Sequence, residues 1–445
     1  MAKSIVLLLS SCALSVAFGF TIPSTNTLAS TSLFAKGFGK KENPVPEEPQ
    51  MPPMQLPGME EEDPFAGMSD ERKSNLFQAL LRDLQIEGTP VLGCDAKAVH
   101  TMSAALWTTM AEISENDAES KTCLVLEDIP AKALQAFVED FTVLKTQERL
   151  IPYLPELTRL SVSLVGKGAG PAFLIESTKR TPEEIEEKLA RSSVAYEEEK
   201  STEALQSFID RIVVNEAACP YTKSTNLAAV GLEAKGVTPG PVAYRFGGSS
   251  DACAAVGVFW NCVCELLSKP QEEISTTMLS LPAVGAGTSD ESLSRFSAVV
   301  ELVSRNLCLF RGDDVFGLVH FHPAYTRTAI HPIDKPAYGH LPPRSWLRPM
   351  LKMNGNEEEA ESLTDDELAL SDYQRKAPFT AINILRVNQL NAANGAKSIV
   401  DLEVGDGVTE KASGITTYSR NAIKLAGVGK EKLQAGLEAD ISMVQ

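Results

Sequence analysis

Leu106-Trp107 with Glu112, and Phe259-Trp260 with Glu265, repeat one spacing at two places in a 445-residue chain. How that echo is read decides the fold. Each pair lies in an apolar stretch of helical period, at 98–113 and 259–267. The segments that follow correspond as well. A strand at 122–126 carries Thr122-Cys123-Leu124, and one at 276–281 carries Thr277-Met278-Leu279. The next helices, 131–144 and 293–302, hold Phe137 and Phe296, and strands at 160–165 and 316–321 complete each series. Helix-strand-helix-strand taken twice, then helices at 418–425 and 431–439 with Gly427 and Gly429 between them, predicts an α+β fold of two α/β halves with C-terminal helices. A degenerate duplication explains the echo; two unrelated α/β segments with ordinary amphipathic patterns explain it too.

Around this pattern the chain divides by composition. Residues 71–175 form the first α/β domain, opening on a helix marked by Leu76, Leu80, Leu81 and Leu84. Residues 176–204 read as a charged helical connector. Thr181 is its cap, Pro182 sits in the first turn, and Glu183-Glu184 face the positive end of the helix dipole. The connector helix is expected to run to about residue 199. Residues 205–440 form the second domain, with an acidic insertion at 353–372 expected to be solvated. Residues 42–70 are a linker, in which Pro44, Pro46, Pro49, Pro52, Pro53 and Pro57 alternate with Glu and Met and preclude a packed element.

The N-terminus reads as a targeting segment. Lys3 precedes an apolar run from Ile5 to Val16, and Ser15-Val16-Ala17 fits a cleavage site, making residues 1–17 a signal peptide. Residues 18–41 are rich in Ser and Thr, carry Lys36, Lys40 and Lys41, and lack acids, which is transit-peptide composition. A signal followed by such a stretch, with Phe18 just after the cut, resembles the bipartite plastid presequence of diatoms and related algae. The resemblance implies the stroma of a secondary plastid; plain secretion is the alternative. No later apolar run is long enough for a transmembrane segment.

Charge and cysteines narrow the classes further. The formal net charge is −18, and the first 41 residues hold four lysines and no acids, so the remainder is more acidic still. Such a surface repels phosphate backbones, and no basic stripe with interleaved aromatics appears, which excludes nucleic acid as a partner. Without Cys12, seven cysteines remain (Cys94, Cys123, Cys219, Cys253, Cys262, Cys264 and Cys308), an odd number with no C-x-x-C. A disulfide framework is not expected, in keeping with a reducing compartment. Cys262 and Cys264 point about 200° apart on a helix and read as core.

The candidate chemistry gathers at Val319-His320-Phe321-His322-Pro323-Ala324-Tyr325. Four of the five histidines, His320, His322, His331 and His340, fall in this region. On a strand, His320 and His322 share a face with Cα atoms roughly 6–7 Å apart. That spacing suits a metal pair for Zn or Fe, with Cys219, His331 or His340 as third ligand. It equally suits an acid–base pair, an anion cradle, or a satisfied buried histidine. Cys219 follows an apolar-faced helix at 205–214 and is either an activated nucleophile near His322 or a small buried hydrophobe. Arg386, Lys376, Arg327 and Arg348 could form a positive patch selecting a carboxylate or phosphate. Gly166 to Gly170 reads as a tight turn. Gly247-Gly248-Ser249-Ser250 reads as a turn before the helix at Ala252, with an anion cradle as the alternative.

Three segments taken together resemble a known family. Asn215-Glu216-Ala217-Ala218-Cys219-Pro220-Tyr221, Phe321-His322-Pro323-Ala324-Tyr325, and Lys376-Ala377-Pro378-Phe379 leading to Leu385-Arg386 are similar in order and spacing to the bacterial and plastid domain of unknown function 1415 (DUF1415). Tyr418 to Leu425, with Arg420-Asn421, resembles that family's closing helix, so the likeness spans about 205–437. It carries over Cys219, His322, Tyr325, Pro378 and Arg386 without implying an activity. The chain departs from the pattern at Arg375-Lys376 and at Asn383, and His320 is not part of it.

Two functions are compatible with this reading. The first is a soluble enzyme or binding domain for a small anionic molecule, with His322, Cys219 and Tyr325 in catalytic roles and Arg386, Lys376 and Arg327 as anion clamps. The second is a non-catalytic plastid assembly or protein-interaction factor, with the same residues serving as packing and capping elements.

Overall fold

The computed structural model describes residues 7–9, 91–94, 98–126, 129, 131–165, 172–327, 341–394, 399–405 and 407–445. The helix expected near Leu76–Leu84, the Gly166–Gly170 turn, and His331 and His340 lie outside the described residues.

The protein is α+β. Its first half comprises β1 (Leu7–Leu9), β2 (Val91–Cys94), α1 (Val99–Glu115), β3 (Ser120–Leu126), α2 (Ala131–Leu144), α3 (Pro155–Arg159), β4 (Leu160–Val165) and β5 (Ala172–Ser177). After α4 (Pro182–Arg191) and α5 (Glu198–Phe208), the second half has β6 (Leu227–Ala228), β7 (Gly240–Phe246), α6 (Ala252–Ser268), β8 (Thr276–Ser280), α7 (Asp290–Leu309) and β9 (Phe316–Phe321). Three short helices follow, α8 (Arg344–Met353), α9 (Glu357–Ser362) and α10 (Asp365–Ala369), before β10 (Ala381–Arg386) and α11 (Val387–Asn394). A β11–β12 hairpin (Val400–Gly405, Val408–Ala412) leads to the closing helices α12 (Ile415–Val428) and α13 (Lys430–Ser442).

The two main sheets share one topology over four of their five strands; the edge strand β1 is parallel to β2, whereas β6 is antiparallel to β7. Their strand orders are β1-β2-β3-β5-β4 and β6-β7-β8-β10-β9. In both, the first βαβ unit is parallel (β2 with β3, β7 with β8), and the remaining pairings of these four strands are antiparallel. The strands β2, β5, β7 and β10, which the sequence reading did not identify, complete this correspondence. The echoed residues fall at matching places. α1 and α6 each have 17 residues, with Trp107 and Trp260 at the ninth position of their helices. Phe137 and Phe296 are each the seventh residue of theirs.

These helices pack directly on each other because both are apolar nearly all round, a pattern that demands burial on every side. Thr108 and Gly257 mark their closest approach: a Cβ on Gly257 would stand 3.3 Å from the Thr108 amide nitrogen. One continuous hydrophobic cluster runs from Val99 through Trp107, Phe137 and Phe173 to Trp260, Phe316 and Ile384, so the two halves share a core.

Two expectations need correcting. The connector is not one helix to residue 199. Its capping box is present, with Thr181 Oγ1 accepting from Glu184 N at 3.2 Å and Glu184 reaching back to the Thr181 amide. The helix nevertheless ends at Arg191, and a new one starts at Glu198. Helix α5 then loosens into a π-helical segment, Ile209–Asn215, where a plain helix to residue 214 was expected. The acidic insertion is solvated over most of its length, as expected, but its last residues Leu370, Ser371 and Asp372 enter a buried 3-10 turn. Asp372 is buried because Arg327 and Arg344 neutralise it.

Candidate functional site

The β4–β5 connection occupies residues 166–171, whereas the equivalent β9–β10 connection occupies residues 322–380. His322, Tyr325, Arg327, Asp372 and Lys376 all belong to this enlarged connection. It starts where β9 ends, and His322 is fully buried there.

Both ring nitrogens of His322 are in use. Nδ1 accepts from the Ala324 amide at 3.1 Å, which places the proton on Nε2, and Nε2–H donates to the Gly285 carbonyl at 2.8 Å. Gly285 can present that carbonyl because it holds φ +61, where a Cβ would press on Ser292 O at 2.5 Å. The imidazole stacks on Phe296 with centroids 4.7 Å apart. Burial lowers its pKa to about 4, so the ring is neutral. Neither nitrogen retains a lone pair for a metal or a transferable proton while these bonds hold. His320 is buried on the preceding strand. Among the described residues no three His, Cys, Asp or Glu side chains are grouped to hold a metal ion.

The other expected site residues are also committed internally. Arg327 donates to Asp372 Oδ1 at 2.7 Å, to the Pro342 carbonyl at 2.8 Å and to Ser371 Oγ at 2.9 Å. Tyr325 is packed with Phe296, Val300 and Leu341, and burial raises its pKa. Lys376 Nζ lies 4.6 Å from the Tyr373 ring centroid. Arg348 ties α8 to the acidic insertion through Ala360 O and Asp365. Arg386 donates to the carbonyls of Leu266, Lys269 and Ile274 at 2.8, 2.8 and 3.1 Å, closing the negative end of α6. It pairs with Phe316, whereas His322 follows Phe321 at the other end of β9, roughly 17 Å away by strand rise. A clamp of Arg386 with His322 is therefore not formed.

Cys219 is half-buried just beyond the π-helical segment, after Ala217, which adopts φ +51. The closing helix α12 holds the carbonyls leading to it: Arg420 donates to Ala217 O at 2.7 Å and Asn421 to Ala218 O at 2.9 Å. Asn421 also donates to Gln374 Oε1 at 3.1 Å. The motif segments are thus joined through backbone carbonyls and buried amides rather than around an open cleft.

The cavity lies elsewhere. A space of about 310 Å³ opens where α4 meets the junction of the two halves. Its lining includes Arg180, Lys188, Arg191 and Arg295, with Glu115, Glu156 and Asp251. Sequence reasoning missed this set. The available signals were the cap at Thr181, which marks the helix that carries Lys188 and Arg191, and the Gly247–Ser250 turn.

The cavity floor is an internal ion network. Glu156 Oε1 accepts from Arg295 Nη2 at 2.7 Å and from the Ala252 amide, the first of α6, at 2.6 Å. Asp251 caps the same helix, accepting from Cys253 N at 2.8 Å and from Ser114 Oγ at 2.6 Å. Gly247–Ser250 leads from β7 into α6 as expected, and the amides that the alternative reading gave to an external anion are bonded by the protein's own carboxylates. Burial works against the Glu156 charge, but Arg295 prevails and lowers its pKa. Burial, reinforced by Glu156, raises Asp251 to about 6.

The roof comes from α4, which has no buried residue. Lys188 Nζ bonds Glu115 O at 2.6 Å and Asp117 Oδ1 at 2.8 Å, and Arg180 Nη2 bonds Ser114 O at 2.6 Å. Arg191 differs: its ion pair is with Glu187 at 3.8 Å, too long for a hydrogen bond. Its side chain is 27% exposed, and burial, then the neighbouring Arg295, lower its pKa.

No curated protein and no solved structure matches the chain. A protein family does match, over residues that include α5 to α7, Cys219, His322, Tyr325 and Arg327. Lys376, Pro378, Arg386 and α12 fall beyond that match. Residues 200–347 match the family described as Protein of unknown function (DUF1415), so the likeness read from the sequence motifs holds over that stretch.

Proposed function

We propose that the protein binds a small anionic molecule in the junction cavity, with Arg191 as the anchoring cation. The observation that carries this reading is Arg191 itself: a half-buried guanidinium facing a cavity of about 310 Å³, whose ion pair among the described residues is a 3.8 Å contact with Glu187. A partly desolvated cation with spare donors is stabilised by a carboxylate or phosphate through charge-assisted hydrogen bonds. In a chain of net charge −18, Lys188, Arg180 and Arg295 line the same cavity as Arg191. The common topology of the halves supports reading them as a degenerate duplication whose junction became the site. Thermal shift of the full chain with isovalerate and with inorganic phosphate tests the proposal. Stabilisation by either anion, lost in Arg191→Gln, is expected; identical melting with and without both anions refutes it.

A second reading has its own support. His322, Arg327, Arg386 and Asn421 spend their hydrogen bonds inside the chain, which fits a non-catalytic assembly or interaction factor whose motif residues maintain its shape. Absence of anion binding, with loss of folding in His322→Ala, favours this reading. We further propose that residues 1–41 direct the protein to the plastid stroma, on the strength of the Lys3 and Ile5–Val16 signal and the acid-free stretch that follows. Removing them takes away β1, an edge strand, and leaves the pairing of β2 to β5 in place. A fluorescent protein fused behind residues 1–41 is expected in the stroma; its secretion would refute the targeting.

A further inference from the structure

The cavity carries two under-used charges of opposite sign. Arg191 is one. Glu115, at the C-terminal end of α1, is the other: Oε1 accepts from Ser249 Oγ at 3.1 Å, and Oε2 has no hydrogen-bond partner among the described residues. The remaining charged groups are each hydrogen-bonded or ion-paired, although Nε of Arg180 and of Arg295 lacks a hydrogen-bond partner among the described residues. Asp251 is bonded by two amides and the Ser114 hydroxyl, and Glu156 by Arg295 and an amide. Lys188 is bonded to Asp117 and to the Glu115 carbonyl, and Arg180 to Asp117 and the Ser114 carbonyl.

The charges are also divided by wall. The floor holds Glu156, Asp251 and Arg295, leaving one negative charge in excess, to which the neighbouring Glu115 adds another. The roof holds Lys188 and Arg191 of α4, with Arg180 just before that helix. A simple anion satisfies Arg191 but faces the negative floor, and a simple amine satisfies Glu115 but faces the positive roof. A ligand bearing both charges satisfies both walls. Because Asp251 and Glu156 already occupy the first amides of α6, the helix N-terminus is not the recognition element.

We propose that the junction cavity takes a small zwitterion, an aliphatic amino acid, with its carboxylate on Arg191 and its ammonium on Glu115. The inference rests on the reading of the cavity as an anion site and names its ligand class. About 310 Å³ lies at the lower limit of ligand pockets, which suits a molecule of this size. Val194 and Ala195 provide an apolar surface for the side chain, and Ser192 and Ser249 provide hydroxyls beside the polar ends.

Isothermal titration of the full-length chain with L-valine, isovalerate and isobutylamine separates the possibilities. These probes share one branched skeleton and differ in which charges they carry. Valine is expected to bind about tenfold tighter than either single-charge analogue, the ratio that corresponds to one charge-assisted hydrogen-bonded pair of about 1.4 kcal/mol. Glu115→Gln, at an exposed position, should bring valine and isovalerate to similar affinities, and Arg191→Gln should weaken both. If isovalerate binds wild type as tightly as valine, the zwitterion assignment is overturned while the anion site stands. If none of the three binds, both readings fall.

Discussion

Trp107 and Trp260, at equivalent positions of α1 and α6, donate their indole N–H groups to the same oxygen, Asn306 Oδ1, at 3.0 and 2.7 Å. Both rings are essentially fully buried, so neither indole could find water as a substitute. A single amide on α7 therefore satisfies the two largest side chains of the shared core and fixes the two halves to each other. The Trp echo that organised the sequence reading is, in the structure, a contact.

Asn306→Ala should accordingly leave two buried donors without an acceptor. At about 1–3 kcal/mol for each orphaned group, the expected loss is about 2–6 kcal/mol in urea unfolding. A loss below about 0.5 kcal/mol would mean that the indoles find other partners.

The Glu156–Arg295 pair is buried at 2% and 7% exposure and spans the two halves. Arg295→Met strands Glu156 as an uncompensated charge and should cost about 3–5 kcal/mol. Arg295→Met combined with Glu156→Leu should cost less than the sum of the single changes, because it removes both charges. Strict additivity in a double-mutant cycle would show that the pair is not coupled.

His322 gives the protein an acid-sensitive component. Its folded pKa of about 4 lies below the ordinary value of 6.5, so the unfolded chain takes up a proton that the folded state refuses. The contribution is complete above pH 6.5 and is lost as pH falls from 6.5 to 4. Over that window it amounts to about 3 kcal/mol for this fully buried ring. Imidazole NMR should show a neutral Nε2–H ring down to pH 5. Titration between pH 6 and 7 would contradict the bonding described.

Arg386→Met should lower stability by about 1–3 kcal/mol, because the Leu266 and Lys269 carbonyls at the end of α6, and the Ile274 carbonyl before β8, lose their donor. Its ligand affinity should match that of wild type, since Arg386 caps α6 by bonding carbonyls outside the cavity lining. A selective loss of anion binding in this variant would return the clamp to the second sheet.

The α+β class was legible in the sequence because periodicity reports burial, and α1, α6 and α7 are long and apolar enough to read without context. The strands β5 and β7 escaped notice for the same reason in reverse. Ala172–Ser177 and Gly240–Phe246 follow Pro171 and Pro239, lack a clean alternation of buried and exposed positions, and gain their strand character from neighbours distant in sequence. The DUF1415-like segments were recognised from their residues, but recognition did not reveal that His322 spends both nitrogens on Ala324 and Gly285. That depends on Gly285 being brought back from another loop. The cavity charges were the least legible. Glu115, Arg191 and Asp251 each look like ordinary helix-end residues, and only the docking of α4 over the α1–α6 junction gives them a common space.

The most direct test of that common space is the titration of isovalerate into wild type and Arg191→Gln side by side, at low and high salt. The account predicts saturable binding to wild type that weakens with salt, with about tenfold lower affinity in Arg191→Gln. Equal affinity for the two proteins, or no binding to either, would contradict it.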